Sequence, residues 1–321
     1  MPTSSGTKSN LKIEYESEGF PASSGVTNGS SVLETSWDEL IWAAVTVGRP
    51  NRQYVFKHGQ ASVYEALFRL SLVRMALQQR PAGRRLRRTE AAKTLDPSEK
   101  GAVSYFLGMA ICKLFSARLL DAPWLLHLDV FRPELDIHLT GRSRPDLVGQ
   151  TSGGKWVAFE SKGRLSMPNN EAKNKAKTQA QRVVSIDGKS PSYHIGGIAF
   201  FRNDVLRFFW RDPEPPKGLK DIKCAVEDAD WRYYYEPVFD LVQSRERPDQ
   251  NSSGIAFLAG DRELDVKLAI HPAIFSLLME GNWGEAKRVA IAHREEFHSE
   301  GYQLDGIRVV AGETWRRPFV E

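Results

Sequence analysis

Three side chains in this 321-residue chain have types and spacing suited to one kind of chemistry: Asp146, Glu160 and Lys162. Asp146 lies in Arg144-Pro145-Asp146-Leu147-Val148, and Glu160-Ser161-Lys162 closes the apolar run Trp156-Val157-Ala158-Phe159 after a gap of thirteen residues. Residues two apart on a strand share a face, so an extended run ending here sends Glu160 and Lys162 the same way. If the connecting loop is Ser152 to Gly154, Asp146 stands opposite Glu160 on the neighbouring strand, about 5 Å away. Two carboxylates that close repel each other and resist dehydration. A divalent cation removes the conflict, because Mg²⁺ takes one or two carboxylates and fills its shell with waters and phosphate oxygens. Lys162 can then orient an attacking water or neutralise charge on phosphorus as it becomes five-coordinate. The plainer alternative is a surface Lys–Glu pair with Asp146 opening a turn.

The letters alone are not distinctive. Glu-x-Lys recurs at Glu171–Lys173 and Glu285–Lys287, and Pro-Asp at 248–249. The two other Glu-x-Lys pairs fall at predicted helix starts, where residues two apart diverge. Only Glu160–Lys162 ends an extended apolar run.

Elements must hold these residues in place. Residues 1–35, rich in Ser, Gly, Thr and Asn, predict a mobile arm. Segments 37–47 and 61–79 read as helices, the second with Val63, Leu67, Leu70, Val73 and Leu77 in one stripe. Segment 80–95 reads as a basic linker. Asp96-Pro97-Ser98-Glu99 then carries a helix-start signature, with a cap, Pro in the first turn and Glu three after the cap. The helix it opens, to about Leu120, is apolar round most of its circumference and should be buried. Extended segments follow at 124–131, 146–150 and 155–162, the last two joined by the hairpin signal Thr151-Ser152-Gly153-Gly154. A Lys/Gln/Ala helix at 170–184, closed by Asp187-Gly188, precedes strands 196–201 and 205–210. Beyond Pro213-Glu214-Pro215-Pro216 the pattern predicts a helix at 238–244, a polar linker at 245–254, a hairpin at 255–269, helices at 272–280 and 284–299, and a strand at 306–311. The fold class expected is α/β, a mixed central sheet flanked by helices. The division expected is an arm (1–35), a helical region with its linker (36–95), a core (96–212) and an α+β region of unassigned role (213–321).

Pro145-Asp146, the gap and Glu160-Ser161-Lys162, set in this order of elements, resemble the signature of the PD-(D/E)XK nuclease superfamily over roughly residues 97–210. The resemblance implies a restriction-endonuclease-like core with helical N-terminal and α+β C-terminal additions. It implies metal-dependent hydrolysis of phosphodiester bonds, DNA in preference to RNA, and a role in bacterial defence or repair. Asp146 and Glu160 would be metal ligands with the Ser161 carbonyl, Mg²⁺ the cofactor with Mn²⁺ as substitute, and Lys162 the catalytic lysine. Many members place a Gln on the following helix; Gln179 and Gln181 compete, and Gln179 lies nearer the inward stripe of Ala172, Ala176, Ala180 and Val183. Members often add an acid from the first helix, for which Glu99 or Glu65 are the candidates here. A second functional class is a non-catalytic nucleic-acid-binding or scaffolding subunit that keeps the fold.

The net charge of +4 hides an uneven distribution. Segment 80–93 carries +5 and segment 142–182 carries +6, leaving −7 for the remainder. Two basic segments on an acidic protein are a footprint for a polyanion. Arg142, Arg144 and Arg164 flank the motif, while Lys173 and Lys177 sit on the next helix; all five are candidates for phosphate contacts, against the alternative of a solvated helix face. With 41% hydrophobic and 26% charged residues the chain is neither disordered nor fibrous. Two distant cysteines, Cys112 and Cys224, exclude a zinc site built on Cys pairs and fit a reducing, cytoplasmic compartment. The apolar run 102–117 is interrupted by Lys113 and is short for a bilayer span, and no secretory leader is read at the start, so no membrane partner is expected. A homodimer or a protein partner is compatible with all of this. Gly149 to Lys155 fits half of a phosphate-binding loop, but Trp156 replaces the required hydroxyl and a strand follows. His293 and His298, five apart on a helix, do not make a metal pair.

Overall fold

Two helix starts show how directly local chemistry shapes this chain. The Asp96 carboxylate accepts the amides of Ser98 (2.7 Å) and Glu99 (3.3 Å), while the Glu99 carboxylate accepts the Asp96 amide at 3.2 Å. Ser36 and Glu39 form the same reciprocal box. A computed structural model describes residues 11–47, 60–80, 83–128, 145–212, 222–243 and 264–319.

The first part holds β1 (Leu11–Glu18), β2 (Gly29–Thr35), α1 (Trp37–Thr46), α2 (Gln60–Ala76), β3 (Leu77–Gln79), β4 (Leu86–Arg88), α3 (Glu90–Thr94) and α4 (Pro97–Leu120). Next come β5 (Trp124–His127), β6 (Leu147–Gln150), β7 (Trp156–Arg164), α5 (Asn170–Ala180), β8 (Val183–Ile186), β9 (Tyr193–Arg202) and β10 (Val205–Arg211). The last part holds β11 (Ile222–Cys224), α6 (Arg232–Gln243), β12 (Val266–Ile270), α7 (Pro272–Met279), α8 (Trp283–Ala292), α9 (Arg294–Ser299), β13 (Ile307–Ala311) and α10 (Glu313–Arg316).

The central sheet runs β2-β1-β10-β9-β7-β6-β5, with β4 against β10 and β3 against β4. It is mixed: β1 is parallel to β10 and β7 to β9, and the other pairs are antiparallel. Strands β9 and β10 join through Asn203 and Asp204, both at positive φ (51° and 62°), the backbone a two-residue hairpin demands. The parallel step from β7 to β9 is made through α5. Helices α4 and α5 cover opposite faces. Gly163 and Gly197 face α4, whereas Gly196 faces α5, where an added Cβ would stand 2.9 Å from the Lys177 amide nitrogen.

Helix α4 is the axis of the core. A methyl on Gly108 would stand 2.7 Å from the Gly163 nitrogen and 2.8 Å from the Lys162 carbonyl carbon, and one on Gly163 would collide with the Ser104 carbonyl. Helix and strand therefore touch backbone to backbone, which only glycine permits. By length and composition α4 could cross a membrane, but most of its apolar surface is buried within the protein. Its Lys113 is wholly buried and donates to Pro123 O and, at 2.7 Å, to the Tyr234 hydroxyl. That hydroxyl donates to Asp305 Oδ2 (2.5 Å), which also accepts Trp42 Nε1 (2.8 Å). Burial pushes the lysine down to about 7 and the aspartate up, so the pair approaches neutrality where it is dry. The network ties α1, α4, α6 and the turn before β13 together, and one hydrophobic core runs through all these regions.

The structure corrects several expectations. Within 1–35, residues 11–18 and 29–35 form the β1–β2 hairpin, with Leu11, Ile13 and Leu33 buried; the alternation is short, and β1 finds its parallel partner almost two hundred residues later. Segment 80–95 contains β4 and α3 instead of a free linker. Helix 61–79 ends at Ala76 and continues as β3. The helix expected over 170–184 stops at Ala180, and Val183–Ile186 pairs with β11. The hairpin at 255–269 is replaced, over its described part, by β12 pairing with β13, and helix 284–299 breaks at His293. Residues 129–131 and the linker at 245–254 lie outside the described residues.

Glycines in this region should respond oppositely to a methyl group. Gly101, exposed in α4 with nothing within 4 Å of an added Cβ, gains up to about 1 kcal/mol on Gly101→Ala through helix propensity. Gly163→Ala loses at least about 2–3 kcal/mol, because two backbones must separate. Urea unfolding midpoints of the two variants check both signs.

Candidate active site

The hairpin β6–β7 has the register that a Ser152–Gly154 loop demands: Leu147 faces Phe159, Val148 faces Ala158, Gly149 faces Val157 and Gln150 faces Trp156. Thr151 and Lys155 close the loop through a 2.9 Å bond from the Thr151 amide, and Gly154 takes positive φ (78°). The phosphate-loop reading of 149–155 has no place in this tight turn. Continuing the register one step brings Asp146 opposite Glu160, and Asp146 Oδ2 accepts the Ser161 amide at 2.9 Å. Asp146 O in turn accepts the Leu128 amide (2.8 Å), fixing it between β5 and β7.

On β7, Ser161 and Gly163 face α4, and Glu160 and Lys162 face the α5 side. Glu160 pairs with Gly196 and Lys162 with Ile198 on β9. Glu160 is completely buried, and neither of its carboxylate oxygens receives a well-formed hydrogen bond. Its cationic contact is an ion pair with Lys162, whose side chain stays 34% exposed. Burial, and next the Asp146 charge, push Glu160 up to about 8, with Lys162 pulling the other way. Asp146, Glu160 and Lys162 thus converge on one side of the sheet at the end of β7.

Ser161 lies between them in the strand. Its hydroxyl is buried without a hydrogen-bond partner of good geometry, close to Cys112 on α4. Burial, together with the charges of Asp146 and Glu160, pushes the Cys112 thiol far up, so it stays a neutral packing residue. Ser104, Gly108 and Cys112, four apart, form the small-residue stripe on which β7 rests. Sequence reasoning did not single them out, although small residues at that spacing inside an otherwise bulky helix were the available signal.

Gln179 is buried on α5, its Oε1 without a donor. Lys173 marks the flank of α5 turned to β10 and β1: it lies 3.7 Å above the Phe209 ring and 3.7 and 3.6 Å from Glu16 and Glu18. Gln179 sits about 120° round the helix from Lys173, on the shoulder facing β7. Gln181 is buried at the helix end, where its amide bonds Lys177 O. The structure therefore separates the predicted phosphate contacts. Arg164 is exposed at the end of β7, near Lys162, whereas Lys173 is matched to acids on β1, and Lys177 is half-buried over Gly196. Arg142 and Arg144 lie outside the described residues. The other basic segment is matched as well: Arg85 pairs with Glu14 (2.5 Å), Arg84 with Glu34 (3.5 Å), and Arg88 and Lys93 with Asp204 (2.5 and 3.1 Å).

Of the candidates for a further acid, Glu99 is spent on its capping box and Glu65 on Arg69 at 2.9 Å. Among the described residues no group of three or more His, Cys, Asp or Glu side chains gathers for a metal. The donors that do converge still suit a hard cation. Glu160 presents two buried oxygens that lack hydrogen-bond donors, beside a second carboxylate, and oxygen ligands of this kind hold Mg²⁺ or Mn²⁺.

The raised Glu160 pKa has a measurable sign. The unfolded chain releases this proton near 4.5 and the folded protein near 8, so stability is lost as pH climbs through that window. Glu160→Gln removes the linkage. In chelator-containing buffer the variant should gain on the wild type from pH 5 to pH 9 by an amount on the order of a few kcal/mol, read from denaturant midpoints at each pH. Parallel pH profiles would refute a buried, proton-holding Glu160.

No family model matches this chain, and comparison with curated proteins and with solved structures brought no match. Its chemistry has to be argued from the side chains themselves.

Proposed function

We propose that this protein is a divalent-metal-dependent nuclease that hydrolyses phosphodiester bonds, with DNA as its substrate in preference to RNA. The observation that carries the reading is the meeting of Asp146, Glu160 and Lys162 on adjacent strands, one carboxylate wholly buried and the amine half in solvent. The surroundings support it. A buried helix, an antiparallel three-strand meander, a crossover helix on the opposite face and a parallel strand (α4, β5-β6-β7, α5, β9) follow the order of a restriction-endonuclease-like core. The β1–β2 hairpin, β10 and the C-terminal elements are additions to that core.

In this reading Asp146 and Glu160, with the Ser161 carbonyl, are the residues that hold Mg²⁺ or Mn²⁺. When bound, the cation supplies Lewis-acid stabilisation of phosphoryl charge and an acidified water. The chain's own contributions follow from its geometry. The Ser161 amide holds the Asp146 carboxylate against β7. Lys162 can swing its ammonium from Glu160 to a phosphoryl oxygen as negative charge builds there. Gln179, on the β7 shoulder of α5, offers a polar group to orient water, and Arg164 a phosphate contact at the end of the strand. The unpaired cysteines accord with work in the cytoplasm, in defence or repair.

Plasmid and single-stranded DNA incubated with Mg²⁺ or Mn²⁺ provide the test. Lys162→Ala and Asp146→Ala should each slow cleavage by at least about a hundredfold, and chelation should abolish it. Cleavage untouched by both substitutions would remove the site, while binding without cleavage by any form would favour a scaffolding subunit.

A further inference from the structure

Near the end of β7, on the α4 side, an aromatic cluster faces solvent. Tyr64 is 68% exposed, Phe68 53% and Tyr105 37%. Tyr64 and Phe68, one turn apart on α2, share a face. Phe68 meets Phe106 edge-on (centroids 5.7 Å), and Phe106 meets Tyr105 in the same way (5.5 Å). Behind them the buried Arg69 guanidinium lies 5.6 Å from the Phe106 ring, held by Glu65 and by Val47 O at 3.1 Å. The rings therefore stand on a braced base. Three large aromatic side chains left open beside one another are unusual on a protein surface and mark a contact site.

What such rings contact is argued from their place. Tyr105 and Phe106 lie between Ser104 and Gly108, the two α4 residues that touch the Gly163 and Lys162 backbone. The cluster is thus joined through a single helical turn to the strand bearing the reactive amine. Flat rings take the π-face of any unpaired base, whereas the bases of a duplex are stacked on one another and closed to them. Pockets elsewhere are less suited. The groove of about 430 Å³ between the β1–β2 hairpin and Met167–Pro168 is lined by Glu14 and Glu16, which repel phosphate.

We propose that Tyr64, Phe68 and Tyr105 form a base-stacking platform, and that the substrate presents unpaired nucleotides, as a single strand, flap or overhang, next to the scissile phosphate. This rests on the nuclease reading for its substrate, but not for its binding measurement.

The experiment is fluorescence anisotropy of a labelled 20-nucleotide single strand and of the matching duplex, in chelator, so that nothing is cut. Wild type should prefer the single strand. Tyr64→Ala/Phe68→Ala should weaken it by about tenfold or more, since each base–ring stack contributes a factor of that order, with duplex affinity changing less than threefold. Phe68→Trp should restore part of the loss. Both side chains are more than half exposed, so the thermal midpoint of the double variant should match wild type. Single-strand affinity unchanged in the double variant, or no single-strand binding by wild type, overturns the platform. So does a concentration-dependent dimer that the double variant abolishes, which would assign the rings to a second copy. Ring-dependent binding in a protein that cuts no substrate would sink the nuclease reading and leave the platform standing. Cleavage lost in Lys162→Ala together with ring-independent binding would do the reverse.

Discussion

The contact of α4 with β7 is the constraint on which the rest of the structure depends. Helix and strand meet through Gly108 and Gly163 with no side chain between them. That contact sets the height of β7 on the helix and which of its residues are turned away. Because the strand alternates, pressing Ser161 and Gly163 against the helix obliges Glu160 and Lys162 to emerge on the far face. The same contact puts Ser104 and Gly108 under the reactive end of the strand and carries the neighbouring rings of Tyr105 and Phe106 beside it. Lys113, two turns further along α4, locks the helix to the C-terminal elements through Tyr234 and Asp305. The additions to the core thereby hold the helix that holds the site.

Electrostatic cost gives the site its character. A carboxylate as dry as Glu160 is expensive unless something positive shares the space. Lys162 supplies part of the compensation, but it is itself partly solvated, and Asp146 works against it. Elsewhere in the molecule buried charge is answered differently. Lys113 and Asp305 meet a dense set of donors and acceptors, and Arg69 is held by Glu65 and a backbone carbonyl. The contrast sets Glu160 apart: its oxygens are the buried acidic atoms without donors, next to a second acid. An arrangement that is poor for stability and suited to a cation is the usual mark of a working site.

The positive charge is sorted by the tertiary structure. Segment 80–93 looks in sequence like a binding surface, yet its described cations are largely answered by Glu14, Glu34 and Asp204 from strands far away in the chain. Lys173 goes to Glu16, Glu18 and the Phe209 ring in the same way. The acidic face of the β1–β2 hairpin thus consumes cations that local charge counting would leave for a ligand. Arg164, at the tip of β7, keeps its exposure and its nearness to Lys162.

By itself the sequence determined whatever depends on neighbours along the chain. The Asp96 and Ser36 capping boxes, the burial of α4, the Ser152–Gly154 turn and hence the opposition of Asp146 and Glu160 are all local matters of hydrogen-bond geometry, periodicity and loop length. What it could not convey were pairings between distant segments. The serine-rich start shows too little alternation to announce strands, and becomes sheet only because β10 offers an open edge; β12 waits some forty residues for β13. The dryness of Glu160 and the spent charges of segment 80–93 belong to the same class. Desolvation and ion pairing depend on what is packed nearby in space, and only the assembled sheet brings those groups together.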